Sequence, residues 1–124
     1  MKRNILVVED DKGSQSLIKY LLSDNYNVIT AENGWEAVRL LKDKSDFDLI
    51  ITDIEMPKLD GYGLIEAVAD MPEYSSIPVI VVSSRIPDCA SFRENLNNYM
   101  GYILKPLVPS ELYFRIEESI NKVH

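Results

Sequence analysis

Five short apolar runs limit what this chain can fold into: residues 5–8 (ILVV), 28–30 (VIT), 49–52 (LIIT), 79–82 (VIVV) and 102–104 (YIL). Each is mostly β-branched or aliphatic and lacks the polar alternation of a strand with one wet face, which is the pattern of strands buried on both sides. Between the runs the apolar spacing becomes helical. Leu17, Ile18, Leu21 and Leu22 share one face, as do Ala37, Leu40 and Leu41, then Leu64, Ile65 and Val68, and finally Leu112, Ile116 and Ile120. A weaker helix, poor in apolar residues, is predicted over residues 87–98. Strands joined by helical crossovers favour parallel pairing with right-handed connections and helices on both faces, so the prediction is one doubly wound α/β domain spanning residues 1–124.

Local signals agree with this division. Asp11, between a strand and a helix, reads as an N-cap. Asn33 with Glu36 three residues on has capping-box spacing, and Pro109 suits the first turn of the last helix. Trp35, early in the second helix, reads as a packing residue. Gly61 is expected to turn the preceding loop with positive φ.

Composition removes several function classes. The lone cysteine, Cys89, allows neither an internal disulfide nor a cysteine-built zinc site. The lone histidine is His124, the last residue, so a serine or cysteine nucleophile has no imidazole base held in a folded site. A net charge of -7 opposes direct binding to nucleic acid or anionic membranes, and no apolar run is long enough to insert into a bilayer. The apolar stretch near the N-terminus is too short for a secretory signal, which leads to a cytoplasmic reading.

In a doubly wound sheet, ligands bind beyond the carboxyl ends of the strands. Here those ends carry Glu9, Asp10 and Asp11, then Asp53, then Ser83 and Ser84, then Lys105. Unit charges ~4 Å apart at an effective dielectric near 20 interact by about 4 kcal/mol, so carboxylates gathered on one rim need a cation. Oxygen ligands in an open, partly hydrated site suit Mg²⁺ better than zinc or a calcium cage. Taken singly, Glu9 and Asp10 would read as solvated loop acids, but their coincidence with Asp53 and Lys105 reverses that; Lys105, a surface lysine on its own, reads as functional because it follows a buried strand and precedes proline.

The segments LVVEDD, IITDIEMPKLDG, VVSS and YILKPL, in this order and spacing, resemble the receiver domain of two-component response regulators across nearly the whole chain. The resemblance implies a flavodoxin-like α/β fold: a doubly wound five-stranded parallel sheet of order 2-1-3-4-5 with five helices. It implies that Asp53 accepts a phosphoryl group from a phosphohistidine on a sensor histidine kinase or histidine phosphotransfer protein. Mg²⁺ would be held by Asp10, Asp53 and the backbone carbonyl of Glu55, with Glu9 acting through water. Ser83 would bond the phosphoryl group, Lys105 would pair with its oxygen, and Tyr102 would be the switch aromatic. A cis bond before Pro106 is also implied, as is output through a downstream protein or effector domain at the face of the fourth helix, fifth strand and fifth helix. Tyr99, Tyr113 and Phe114 are expected near Tyr102 on that face.

Glu55 lies two residues beyond Asp53 and Arg85 two beyond Ser83, so neighbouring third and fourth strands would set them face to face across the pocket mouth as a gate. Three departures from the family pattern stand out: Leu107 in place of the usual phenylalanine, Ser84 in place of alanine, and NNYMGY where Gly-Ala usually precedes the aromatic. A phosphohydrolase with an aspartyl-phosphate intermediate would use similar groups, with Glu55 as second acid, but the chain has no insertion large enough for its substrate cap.

Overall fold

The computed structural model describes residues 2–43, 46–87 and 97–122. Five strands, β1 (Arg3–Val8), β2 (Tyr26–Ala31), β3 (Leu49–Thr52), β4 (Val79–Ser83) and β5 (Tyr99–Leu104), form one parallel sheet in the order β2-β1-β3-β4-β5. The helices among the described residues are α1 (Lys12–Leu22), α2 (Gly34–Asp43), α3 (Gly61–Ala69) and α4 (Pro109–Lys122). Most of the helix expected over residues 87–98, with Cys89, lies outside the described residues, and so does His124.

Alternate residues of each strand supply two cores, which is why the runs are apolar throughout. Leu6, Val8, Ile50, Val79 and Val81 pack with Ala37 and Leu41 of α2 and Leu64, Ile65 and Val68 of α3. Ile5, Val7, Leu49, Ile51, Ile80 and Val82 pack on the other face with Ile18 and Leu22 of α1 and Leu112, Ile116 and Ile120 of α4. Burying a residue of this size stabilises by about 1.5–3 kcal/mol, so the two layers hold the sheet from both sides.

The caps form as their residues suggest. Asp11 accepts from the Ser14 N–H at 2.8 Å, and Asn33 accepts from the Glu36 N–H at 2.9 Å, while the Glu36 carboxylate reaches back to the Glu32 N–H at 2.8 Å. Asp60, not anticipated, caps α3 by accepting from Gly63.

Four expectations are corrected. Gly61 is the first residue of α3, and among the described residues positive φ falls at Lys58 (65°) and Gly101 (96°) instead. What Gly61 supplies is close approach, since a Cβ there would sit 2.4 Å from the Asp53 carbonyl oxygen. Trp35 is 64% exposed and Leu17 49% exposed, so neither is core. Tyr113 packs in the α1/α4 layer and donates to the Leu21 carbonyl at 2.6 Å, on the opposite sheet face from Tyr102, and Phe114 points largely into solvent. Only Tyr99 joins Tyr102, because β5 carries a bulge: Val79 pairs with Tyr99 but Val81 with Tyr102, leaving one extra residue on β5. Without it, residues three apart would face opposite ways.

Candidate functional site

The sheet order brings four strand ends to one rim, and backbone hydrogen bonds fix their registration. The Glu9 N–H donates to Ala31 at 2.9 Å, Asp53 to Val8 at 3.0 Å, and Lys105 to Ser83 at 2.8 Å. Residues far apart in sequence thus extend past the sheet side by side. The peptide bond between Lys105 and Pro106 is cis.

Lys105 Nζ stands 3.1 Å from Glu9 Oε1 and 3.4 Å from Asp53 Oδ2. The other Asp53 oxygen accepts from the Ile54 N–H at 2.6 Å, which fixes the carboxylate's orientation. Thr52, buried at the end of β3, donates its hydroxyl to the Asp53 carbonyl at 2.8 Å. Glu9 is only 2% exposed; its Oε2 accepts from the Asp11 N–H at 3.1 Å, and Gln15 from α1 donates to its carbonyl at 3.0 Å. Asp10 is exposed, and one carboxylate oxygen from each of Glu9, Asp10 and Asp53 lies within 4.8 Å of the other two.

Three carboxylates and one ammonium leave this cluster short of positive charge. Burial pushes the Glu9 carboxyl above its ordinary range, and the Asp53 charge adds to this, against the lowering influence of the Asp11 N–H and Lys105. For Lys105, burial acts to depress the ammonium's pKa, yet the hydrogen bond to Glu9 and the charges of Asp53 and Glu9 outweigh it and hold the pKa above its usual value. The donor set is wholly oxygen, partly open to water and deficient in cations. Those properties fit a hard divalent ion such as Mg²⁺.

Beside the acids lies a cleft of about 650 Å³ with Asp10, Glu55, Ser83 and Arg85 on its polar side and Met56 and Tyr62 among its apolar walls. The Arg85 guanidinium donates to the Glu55 carboxylate between the ends of β3 and β4, with 74% and 62% of the two side chains exposed. Ser83 is buried, and its Oγ accepts from the Arg85 N–H at 3.2 Å. Tyr102 does not line the cleft; it is half-buried two residues below the rim, packed against the α2/α3 layer.

Sequence reasoning therefore named the charged residues on the rim but not the groups that orient them: the Ile54 N–H, the Thr52 hydroxyl and Gln15. Backbone donors carry no side-chain signal, and Gln15 is an ordinary helix residue. Asp60 was legible as an Asp just ahead of a helix. Arg115, whose guanidinium donates to the carbonyls of Tyr102 and Met100, was also missed, because nothing in a helical Arg points to a strand edge.

Comparison with known proteins agrees with this fold. The chain is 36% identical over 125 residues to a probable transcriptional regulator, ycf29, of Porphyra purpurea, covering 97% of this chain and 57% of the relative, so it spans little more than half of that protein. Among solved structures, the signal receiver domain of a signal transduction histidine kinase from Syntrophus aciditrophicus is 31% identical, with a TM-score of 0.85 and coverage of 98% of this chain and 92% of that one. The receiver domain of a sensor histidine kinase from Pseudomonas aeruginosa, described with a magnesium ion coordinated in its active-site cleft, shares the fold at 24% identity and a TM-score of 0.86, over 98% and 99% of the two chains. The sequence profile of the response regulator receiver domain matches residues 5–117, and the solved receiver domains share the fold; the chain belongs to the response regulator receiver family.

Proposed function

We propose that this domain accepts a phosphoryl group on Asp53 from the phosphohistidine of a sensor histidine kinase or phosphotransfer protein, in a Mg²⁺-dependent reaction, and changes its partner preference as a result. The observation that carries this reading is the Asp53 carboxylate set among Glu9, Asp10 and Lys105 at a rim open to a cleft. An ionised carboxylate needs no general base. An Asp53 oxygen forms a bond to phosphorus as the bond from phosphorus to the donor imidazole nitrogen breaks, and the departing imidazole carries away that electron pair. The Ile54 N–H orients the nucleophile, and the Lys105 ammonium offsets charge gathering on the transferring oxygens. Glu9, Asp10, Asp53 and the Glu55 carbonyl would hold Mg²⁺, Glu9 through water; the ion would supply further neutralisation of those oxygens.

Once Asp53 carries the group, the Ser83 hydroxyl turns from the Arg85 N–H to the new anion, and Tyr102, on the adjoining strand, responds. If the inactive form predominates by about 99 to 1, inverting that ratio requires roughly 5.5 kcal/mol of differential interaction, within reach of a dianion contacting Ser83 and Lys105. Output is to a downstream protein or effector domain through the face that includes β5 and α4. Direct nucleic-acid contact is disfavoured by the net charge of -7. Among the described residues no helix is long and apolar enough to cross a membrane. The donor is met in the cytoplasm, where nucleotide-driven kinases make phosphohistidine. The Glu55–Arg85 pair acts as a gate that slows water's approach to the aspartyl phosphate.

Incubation with acetyl phosphate, with and without Mg²⁺, followed by intact-mass measurement tests the core of this reading. One phosphoryl adduct is expected on the parent with Mg²⁺ and none on Asp53→Asn; an unmodified parent would sink it.

A further inference from the structure

The bulge in β5 is held from outside the sheet. β5 is the last strand in the order, so its outer carbonyls have no neighbouring strand to bond. Arg115 of α4 fills that role: its Nη1 donates to the Tyr102 carbonyl at 3.0 Å and its Nη2 to the Met100 carbonyl at 2.9 Å, one on each side of Gly101. The side chain is only 25% exposed, and its Nε is steadied by Glu118 at 4.0 Å, one helical turn on. Gly101 is required for its φ of 96°, and its missing side chain leaves the space that the Arg115 fork occupies, with Nη2 2.7 Å from where a Cβ would sit. Gly101 and Arg115 thus form one built unit around the backbone that carries Tyr102.

We infer that Arg115 is a positioning residue for Tyr102: its guanidinium fork fixes the bulged backbone so that the ring answers to the phosphoryl site instead of to local slippage of the strand. This rests on the phosphoacceptor reading and adds to it the device that makes the switch residue respond. On its inner side the Tyr102 backbone is paired with Val81 of β4, but the register shift just before it breaks the ladder between Tyr99 and Tyr102. A planar fork with parallel donors can span two carbonyls two residues apart; a lysine ammonium is a point donor and cannot match both at the same geometry. Because these hydrogen bonds are charge-assisted, each is stronger than a neutral backbone hydrogen bond.

The test uses the full chain with ¹³C-labelled tyrosine, the Tyr102 ring signal being assigned by its loss in Tyr102→Phe. Mg²⁺ and beryllofluoride, a phosphoryl mimic, are added to the parent, Arg115→Gln and Arg115→Lys. Loading at Asp53 is followed separately through the bound fluorine resonance, and folding through the thermal midpoint. In the parent the Tyr102 signal moves on loading. In Arg115→Gln the site loads as in the parent while Tyr102 moves less than half as far, with Arg115→Lys between the two. A merely structural arginine would lower the midpoint and leave the Tyr102 response at a loaded site intact. A loaded Arg115→Gln whose Tyr102 moves as far as in the parent overturns the inference, and if that variant does not fold, Arg115→Lys is judged by the same criterion. A parent that does not respond to Mg²⁺ and beryllofluoride would instead bring down the phosphoacceptor reading, and this inference with it.

Discussion

An ammonium placed 3.1 Å from Glu9 and 3.4 Å from Asp53 can neutralise only one of them, and the buried partner depends on it more. Glu9 is 2% exposed, so losing Lys105 strands a carboxylate that water cannot reach, whereas Asp10 is solvated without help. Lys105→Met is therefore expected to cost about 1–3 kcal/mol at neutral pH in metal-free buffer, toward the low end because Lys105 is itself partly exposed. The pH dependence follows from the Glu9 carboxyl, already raised above 4.5 by burial and by Asp53. A group whose folded pKa is raised contributes stability below its unfolded pKa and loses it as pH rises through the folded one. Removing the cation raises that folded pKa further, so the deficit should be present at pH 7 and shrink as pH falls toward 4; urea unfolding at the two pH values measures it. A pH-independent deficit would mean that lost packing, not the stranded charge, is responsible. Arg85 poses a smaller question. Its pair with Glu55 is largely exposed, and such pairs contribute ~0 to 1 kcal/mol, so Arg85→Ala should speed loss of the phosphoryl group by no more than about fivefold. An unchanged dephosphorylation rate removes the gate.

The connection carrying Asp53 into α3 is positioned by what α2 lacks. Gly34, the first residue of α2, donates its N–H to the Leu59 carbonyl at 3.0 Å, and a Cβ there would lie 2.4 Å from that oxygen and 2.8 Å from Leu59 Cβ. Neither neighbour can yield without moving the β3–α3 connection. Gly34→Ala should destabilise by about 1–3 kcal/mol, as overpacking does. Gly13, in the first turn of α1, offers the opposite case: a Cβ would meet nothing nearer than Asp11 Oδ2 at 3.4 Å, so Gly13→Ala should stabilise by roughly 0.4–1 kcal/mol through helix propensity and a stiffer unfolded chain. Denaturant midpoints of both variants check the contrast, and equal effects would show that backbone abutment is not what separates the two sites. Much at this scale was legible: α4 begins at Pro109, Asp11 and Asn33 cap where their spacing puts them, and Leu64, Ile65 and Val68 are buried. What was not legible depends on neighbours distant in sequence. The bulge in β5 starts that strand at Tyr99 instead of 102 and turns Tyr99 toward Tyr102, and only pairing with β4 and the Arg115 fork reveals it. Trp35 and Leu17 misled because an apolar residue on a helical face predicts burial only when something covers that face.

The whole molecule carries a net charge of -7, and three of its carboxylates, those of Glu9, Asp10 and Asp53, gather at the rim where four strand ends meet. The strand pattern made that convergence predictable, since a parallel sheet with crossover helices has to gather its carboxyl ends on one side. The balance of charge there was not predictable, because it depends on Lys105 reaching two acids at once while Asp10 is left to solvent. Such a rim should bind a hard dication in the folded state alone, since the unfolded chain separates Glu9 and Asp10 from Asp53. Binding restricted to the folded state at 100 times the Kd stabilises by about 2.7 kcal/mol, or roughly 10 °C in midpoint for a domain of this size. Sodium chloride at matched ionic strength separates this from screening, which weakens long-range repulsion between exposed carboxylates but does not join them. Asp10→Asn should abolish the Mg²⁺ shift. In chelator the same variant should melt no lower than the parent, because it removes one of three mutually repelling charges without touching the buried pair. A parent that melts alike in Mg²⁺ and matched salt, or an Asp10→Asn that keeps the full shift, would mean that these carboxylates tolerate one another through solvent and Lys105 alone, with no ion among them.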